Sequence, residues 1–138
     1  MRHMATSFSM ARFVRSPALK QARAVADGLP AEALRELASD PAITIAALAR
    51  VVAPRRTLDR RLKEAHALPP DESDRLARFM TVLALASRVF GTRADAMAWL
   101  DRPLAAFDGA CPLDMLRTDS GTRVVEQHLE RAIHGMFA

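Results

Sequence analysis

Arg55, Arg56, Arg60 and Arg61 fall within seven consecutive positions, with Thr57 between the pairs and Lys63 two places beyond. An arginine fork can hold O6 and N7 of guanine in the major groove, and any guanidinium can neutralise a phosphate, so the chemistry these residues offer is nucleic-acid recognition. The competing reading is a solvated basic helix face, because arginine is an ordinary helix former and Asp59 and Glu64 offset part of the charge. What favours DNA is the element that must position them. Residues 44–65 have the layout of a helix-turn-helix: Thr44 as N-cap, then Ile45, Leu48, Ala49 and Val52 along a short amphipathic helix. A tight connection follows at Val52, Ala53 and Pro54, and proline opens a helix without loss because first-turn N–H groups have no intrahelical partner. In the second helix Leu58 and Leu62 point inward, which turns Arg55, Arg56, Thr57, Asp59, Arg60 and Lys63 outward. Arg61 sits nearer the buried edge but within reach of a phosphate. Such a unit can also serve only packing or oligomerisation.

Other chemistries find little support. The histidines His3, His66, His128 and His134 are scattered, and Glu130 with His134, four apart, forms at most half a metal site. Cys111 is the sole cysteine, so it has no internal disulfide partner. It sits in a proline-flanked loop, where a small buried side chain is the simpler role than a nucleophile. Gly109 and Gly121 are isolated, so no phosphate loop or glycine fingerprint is present. An enzyme is not expected, and no cofactor is expected.

Composition sets the frame. The 138 residues, half of them apolar, suffice for one domain or two very small units sharing a core. No run approaches the roughly 18 consecutive apolar residues of a membrane span, since residues 79–86 are bracketed by Arg78 and Arg88. Residues 1–29 are rich in arginine and hydroxyls with almost no acid. They superficially resemble a transit peptide, and a flexible basic arm is the plainer expectation. The lone cysteine suits a reducing compartment, and a cytoplasmic location is expected. Residues 1–30 hold five Lys or Arg against one acid, whereas residues 91–138 hold five against seven. A basic front and an acidic back fit a nucleic-acid surface on one part and a different partner on the other.

Almost every segment reads at helical period, with Gly and Pro between segments rather than inside them, so the expected fold class is all-α. Residues 31–38 form a first helix, stopped by Ser39, Asp40 and Pro41. The longest helix starts at Pro70, Asp71 and Glu72, carries Leu76, Phe79, Met80, Leu83, Ala86, Val89 and Phe90 on one stripe, and ends at Gly91. A short helix over 94–100 presents Met97, Trp99 and Leu100, then residues 101–112 are irregular. Trp99, Leu100, Phe107 and Leu113 form a small core clamping that loop, or alternatively aromatic anchors for a partner. After a turn of helix over 112–117, the last helix starts at Asp119 or Ser120, with Val124, Val125, Leu129, Ala132 and Ile133 inside. Gly135 is expected to cap it, leaving Met136 and Phe137 on an apolar tail that suits a partner.

Several spaced residues in the C-terminal block carry a resemblance: Arg88, Val89, Phe90 and Gly91; Ala98, Trp99 and Leu100; Arg102 and Pro103; Phe107, Asp108 and Gly109; Pro112 to Leu116; then Thr118, Gly121, Val125, Leu129 and Gly135. This pattern resembles the toxin-binding domain of the MbcA/ParS/Xre antitoxin family. Upstream, Pro54, Arg55, Arg56, Thr57 and Leu58, then Arg60, Arg61 and Leu62, then Glu72 to Leu76, resemble the Xre-like helix-turn-helix of the same proteins. One departure is Leu104, where the family usually has Asn, although Gly109 is kept. The resemblance covers residues 30–138. It implies a helix-turn-helix domain (30–90) and a toxin-binding domain (91–138), and it does not account for the basic arm (1–29) that composition suggests. It further implies a type II antitoxin that neutralises a RES-domain toxin consuming NAD and represses its own operon by binding operator DNA. The toxin-binding residues implied are His128, Arg131, His134, Gly135, Met136, Phe137 and Ala138, covering the toxin's NAD pocket. A palindromic operator requires a two-fold protein, so a homodimer is expected. The alternative is a stand-alone helix-turn-helix regulator whose C-terminal domain serves dimerisation.

Overall fold

The computed structural model describes residues 7–136. The chain runs through α1 (Met10–Val14), α2 (Ala18–Asp27), α3 (Ala31–Ala38), α4 (Ile45–Val51), α5 (Arg55–Lys63), α6 (Pro70–Phe90), α7 (Arg93–Leu100), a 3-10 turn (Ala105–Phe107), α8 (Pro112–Met115) and α9 (Asp119–Met136). No strand occurs among the described residues, so the chain is all-α. None of these helices is long and apolar enough to cross a membrane.

The organising element is α6. Pro70 occupies its first turn beside Asp71 and Glu72, whose carboxylates complement the positive end of the helix dipole, and Gly91 ends it at φ 94°. Leu76, Phe79, Met80, Val82, Leu83 and Ala86 are all fully buried. That is wider than a single stripe, because helices cover α6 from several sides: α1, α2 and α4 from the N-terminal part, α7 and α9 from the C-terminal part. One continuous apolar core runs from Met10 to Leu129 through this helix, so both parts of the chain share it.

The N-terminal region corrects the expectation of a loose basic arm. The Ser9 hydroxyl accepts from the Arg12 N–H, Met10 and Phe13 are buried, and the Met10 N–H donates to the Glu36 carboxylate at 2.9 Å. The Gln21 amide then donates to the carbonyls of Phe13 and Ser16, both at 3.0 Å, closing the end of α1. Helical periodicity gave no sign of this because α1 has only two core anchors and α2 buries no residue fully. Polar caps add to the few apolar contacts of Met10, Phe13, Ala24 and Val25 in holding the pair. Residues 1–6, with His3 and the start of the arm, lie outside the described residues.

The link into α3 is also fixed. The Leu29 N–H donates to the Ser73 hydroxyl at 2.8 Å, that hydroxyl donates to the Leu68 carbonyl at 3.2 Å, and the Leu68 N–H returns to the Leu29 carbonyl at 2.8 Å. Gly28 just before it has φ 94°, and a Cβ there would collide with the Leu68 carbonyl oxygen.

The last helix differs from expectation in two places. Its buried stripe is Thr122, Val125, Leu129 and Ile133, spaced three and four apart, so Val124 falls off the stripe and is 43% exposed. Gly135 does not cap the helix, which continues through it to Met136. Phe137 and Ala138 lie outside the described residues.

Candidate functional site

The helix-turn-helix is built from α3, α4 and α5, backed by α6. Thr44 caps α4, its hydroxyl accepting from the Ala47 N–H at 3.1 Å. Leu48, Val51 and Val52 are buried, and on α5 only Leu58 is fully buried. One leucine is a slender anchor for a nine-residue helix, so polar clamps complete the hold. Arg35 of α3 donates from Nε to the Leu62 carbonyl at 3.3 Å and from Nη2 to the Glu64 carbonyl at 2.5 Å. These are carbonyls that the end of a helix leaves unpaired, so a cation from a neighbouring helix closes α5.

Arg61 is the second clamp. Its guanidinium lies in a two-pronged pair with Glu72 of α6, Nε to Oε1 at 2.9 Å and Nη2 to Oε2 at 3.0 Å, with both side chains largely buried. The carboxylate hydrogen bonds push the Arg61 pKa further above its ordinary value. Expected as a residue that reaches phosphate, Arg61 is instead turned inward and held there. Glu64 approaches it from its own helix at 3.7 Å.

The remaining basic residues of α5 face outward. Arg55, Arg56, Arg60 and Lys63 are exposed and Thr57 is half-buried. Arg60 makes a loose 3.7 Å pair with Glu64, whereas Arg55, Arg56 and Lys63 have no ion-pair partner among the described residues. No side chain caps the start of α5. A row of unpaired cations on a short, solvent-facing helix leaves its charge available to an external anion.

A seam joins this unit to the C-terminal part, and nothing in the local sequence announces it. Arg50, at the end of α4, pairs with Asp114 of α8 through both prongs, Nε to Oδ1 at 3.0 Å and Nη2 to Oδ2 at 2.8 Å, and also with Asp101 just after α7. The Arg50 guanidinium holds the Asp114 carboxyl below the usual carboxylate range, and Arg50 is itself shifted upward. Nearby, the Arg75 Nε donates to the Val52 carbonyl at 2.8 Å, closing α4. At the other edge, Arg93 of α7 pairs with Asp40 at 2.8 Å and, together with the Ala42 N–H, holds that carboxyl low as well.

The C-terminal part is organised by aromatic contacts. Trp99 lies 5.5 Å from Phe90 and 6.3 Å edge-on from Phe107 between ring centroids. His128 of α9 stacks on Trp99 at 5.8 Å and meets Phe107 edge-on at 5.2 Å. His128 is thus a wall of this cluster, half-buried, whereas Arg131, His134, Gly135 and Met136 are exposed along the end of α9. Leu100 and Leu113 are fully buried beneath. The loop containing Leu104 is closed by the Gly109 N–H to the Leu104 carbonyl at 2.8 Å, with Asp108 and Gly109 both at positive φ. Cys111 is half-buried and begins α8.

The fold therefore defines a helix-turn-helix protein with an appended helical module sharing its core. Residues 20–80 match the family model for the antitoxin Xre-like helix-turn-helix domain, and residues 85–135 match that for the antitoxin Xre/MbcA/ParS C-terminal toxin-binding domain. Antitoxin Xre of Pseudomonas putida is 36% identical over 111 residues, covering 80% of this chain and 69% of its own. Antitoxin Xre of Yersinia enterocolitica is 33% identical over 86 residues, and that of Photorhabdus laumondii 33% over 84. The matches cover 58% and 57% of those two relatives' lengths. The chain belongs to the Xre/MbcA/ParS antitoxin family.

Proposed function

We propose that this chain is the antitoxin of a type II toxin-antitoxin pair, acting as a homodimer in the cytoplasm. It neutralises a RES-domain, NAD-consuming toxin with the end of α9, and represses its own operon through α5. The observation that carries the first part is the division of α9. Its first three turns are anchored by Thr122, Val125 and Leu129, while Arg131, His134, Gly135 and Met136 project from its far end into solvent. A rigid helix presenting exposed groups at one tip suits insertion into a concave site, because little ordering remains for binding to require. Phe137 and Ala138 extend that tip in the sequence. His128 supports the tip through the aromatic cluster rather than by direct contact.

DNA binding falls to Arg55, Arg56, Thr57, Arg60 and Lys63. The cations on this face lack strong internal partners, and Arg61 fixes the helix against α6 instead of touching the duplex. The chain matched to toxin binding starts near the end of α6, and we assign residues 91–138 to the toxin and residues 30–90 to DNA.

Co-expression with the cognate RES-domain toxin tests the first part. A chain ending at Ile133 with Arg131→Ala keeps the buried stripe and removes only the tip. Loss of neutralisation is expected, and full protection by the shortened chain would rule out the tip as the inhibitory element. For the second part, Arg56→Ala combined with Arg60→Ala should weaken binding to the DNA upstream of the gene by at least about tenfold and flatten its salt dependence. Unchanged binding would remove α5 from the DNA contact.

A further inference from the structure

A cavity of about 250 Å³ opens beside the α4–α5 turn, bordered by Arg50, Val52, Ala53, Pro54, Arg75 and Arg117. Three guanidinium groups border it, and they are not equivalent. Arg50 is neutralised by Asp101 and Asp114. Arg75 has its Nε engaged by the Val52 carbonyl, and Asp71 reaches one of its terminal nitrogens at only 3.5 Å. Arg117, directly after α8 and the residue that follows it, is exposed. Its backbone carbonyl accepts from Arg78, and its side chain has no ion pair or hydrogen bond among the described residues. Asp114 feels the Arg117 charge but is already committed to Arg50.

The cavity also adjoins the start of α5. No side chain caps that end, and the first helical hydrogen bond runs from the Leu58 N–H to the Pro54 carbonyl, so the N–H groups of Arg55, Arg56 and Thr57 have no intrahelical partner. Uncompensated Arg117 and partly free Arg75 therefore border one opening that reaches Pro54, the residue from which α5 starts. An oxyanion meets this demand, and its position beside the outward arginines of α5 selects one source, the sugar-phosphate backbone of a bound duplex.

We propose that Arg117, with Arg75 behind it, seats a backbone phosphate of the DNA that α5 binds, so that the toxin-binding module itself touches the duplex. This inference rests on the DNA reading of α5. It assigns Arg117 a positioning contact without base information. Because Arg117 lies within the segment matched to toxin binding, the duplex then spans the seam between the two modules rather than the helix-turn-helix alone.

The test measures binding of the full-length chain to the duplex upstream of its gene by fluorescence anisotropy, from about 50 to 200 mM salt. Arg117→Ala is expected to weaken binding about three- to tenfold at the low end and to reduce the slope of log affinity against log salt by about 0.9 for each bound copy of the chain. Arg117→Lys should keep the slope, because the charge is retained. An unchanged melting temperature checks that the exposed substitution leaves the fold intact, and Arg117→Gln serves if the alanine variant does not fold. The Arg56→Ala, Arg60→Ala double variant separates the two ideas. If it loses binding while Arg117→Ala and Arg117→Gln keep the wild-type affinity and slope, the phosphate seat is overturned and the α5 reading stands. If only the Arg117 variants lose slope, the seat stands and α5 is displaced as the reading helix. If none changes, both are overturned.

Discussion

The helices α5 and α9 are both amphipathic and both carry a face assigned to a partner, yet they are held in opposite ways. On α9, four residues of one stripe are buried, Thr122, Val125, Leu129 and Ile133. On α5, only Leu58 is, and the rest of the hold comes from Arg35 on its final carbonyls and from the Arg61–Glu72 pair. A helix anchored by apolar area can present almost any chemistry at its free end. A helix anchored by charge must divide its arginines between holding and binding, and counting basic residues overstates what is left for a ligand.

Substitutions that remove one hold at a time sharpen this contrast. The largest effect is expected for Leu129→Ala, which empties a fully buried site between α9 and the rest of the core and should lower stability by about 3 kcal/mol. Chemical denaturation reads it, and a loss below about 1 kcal/mol would mean that α9 is not anchored by its stripe. Next comes Glu72→Ala, which leaves the largely buried Arg61 guanidinium with only the distant Glu64. A loss of about 2 kcal/mol is expected, together with weaker DNA binding as α5 loosens. If Arg61→Met combined with Glu72→Leu stabilises the chain and leaves DNA affinity intact, the pair is dispensable for positioning α5. The smallest change in stability belongs to Arg56→Ala with Arg60→Ala, within about 0.5 kcal/mol of wild type, because both side chains are exposed. That variant should change binding only. A fall in melting temperature comparable with that of Glu72→Ala would show that the outward arginines also hold the helix, and the contrast between the two helices would collapse.

Much of the architecture is legible in the sequence because its signals are local. Thr44 and Pro54 mark the helix starts, Pro70 with Asp71 and Glu72 marks α6, and Gly91 marks its end, each through a requirement of one or two residues. What escaped depends on distant partners. Arg50 meets Asp114 across 64 positions and Asp101 across 51, and no periodicity encodes such a seam. Arg61 looks like any other arginine of its run until Glu72, 11 positions later, is brought beside it. The first helices escaped for a different reason, since capping by Gln21 and Glu36 leaves no apolar pattern to read. The outward set Arg55, Arg56, Arg60 and Lys63 was legible from Leu58 and Leu62, which fix the inner face and hence its opposite.

Gly121 has a mechanical consequence. In the first turn of α9 it lies against the Met115 carbonyl oxygen, so closely that any Cβ would collide with it. From that point to Met136 the helix extends about 22 Å at about 1.5 Å per residue, and a tilt of about 5° at its base displaces the far end by about 2 Å. The glycine is a fulcrum, and the helix beyond it is a lever. A methyl group at the base, about 22 Å from the tip, would re-aim that tip by about 2 Å.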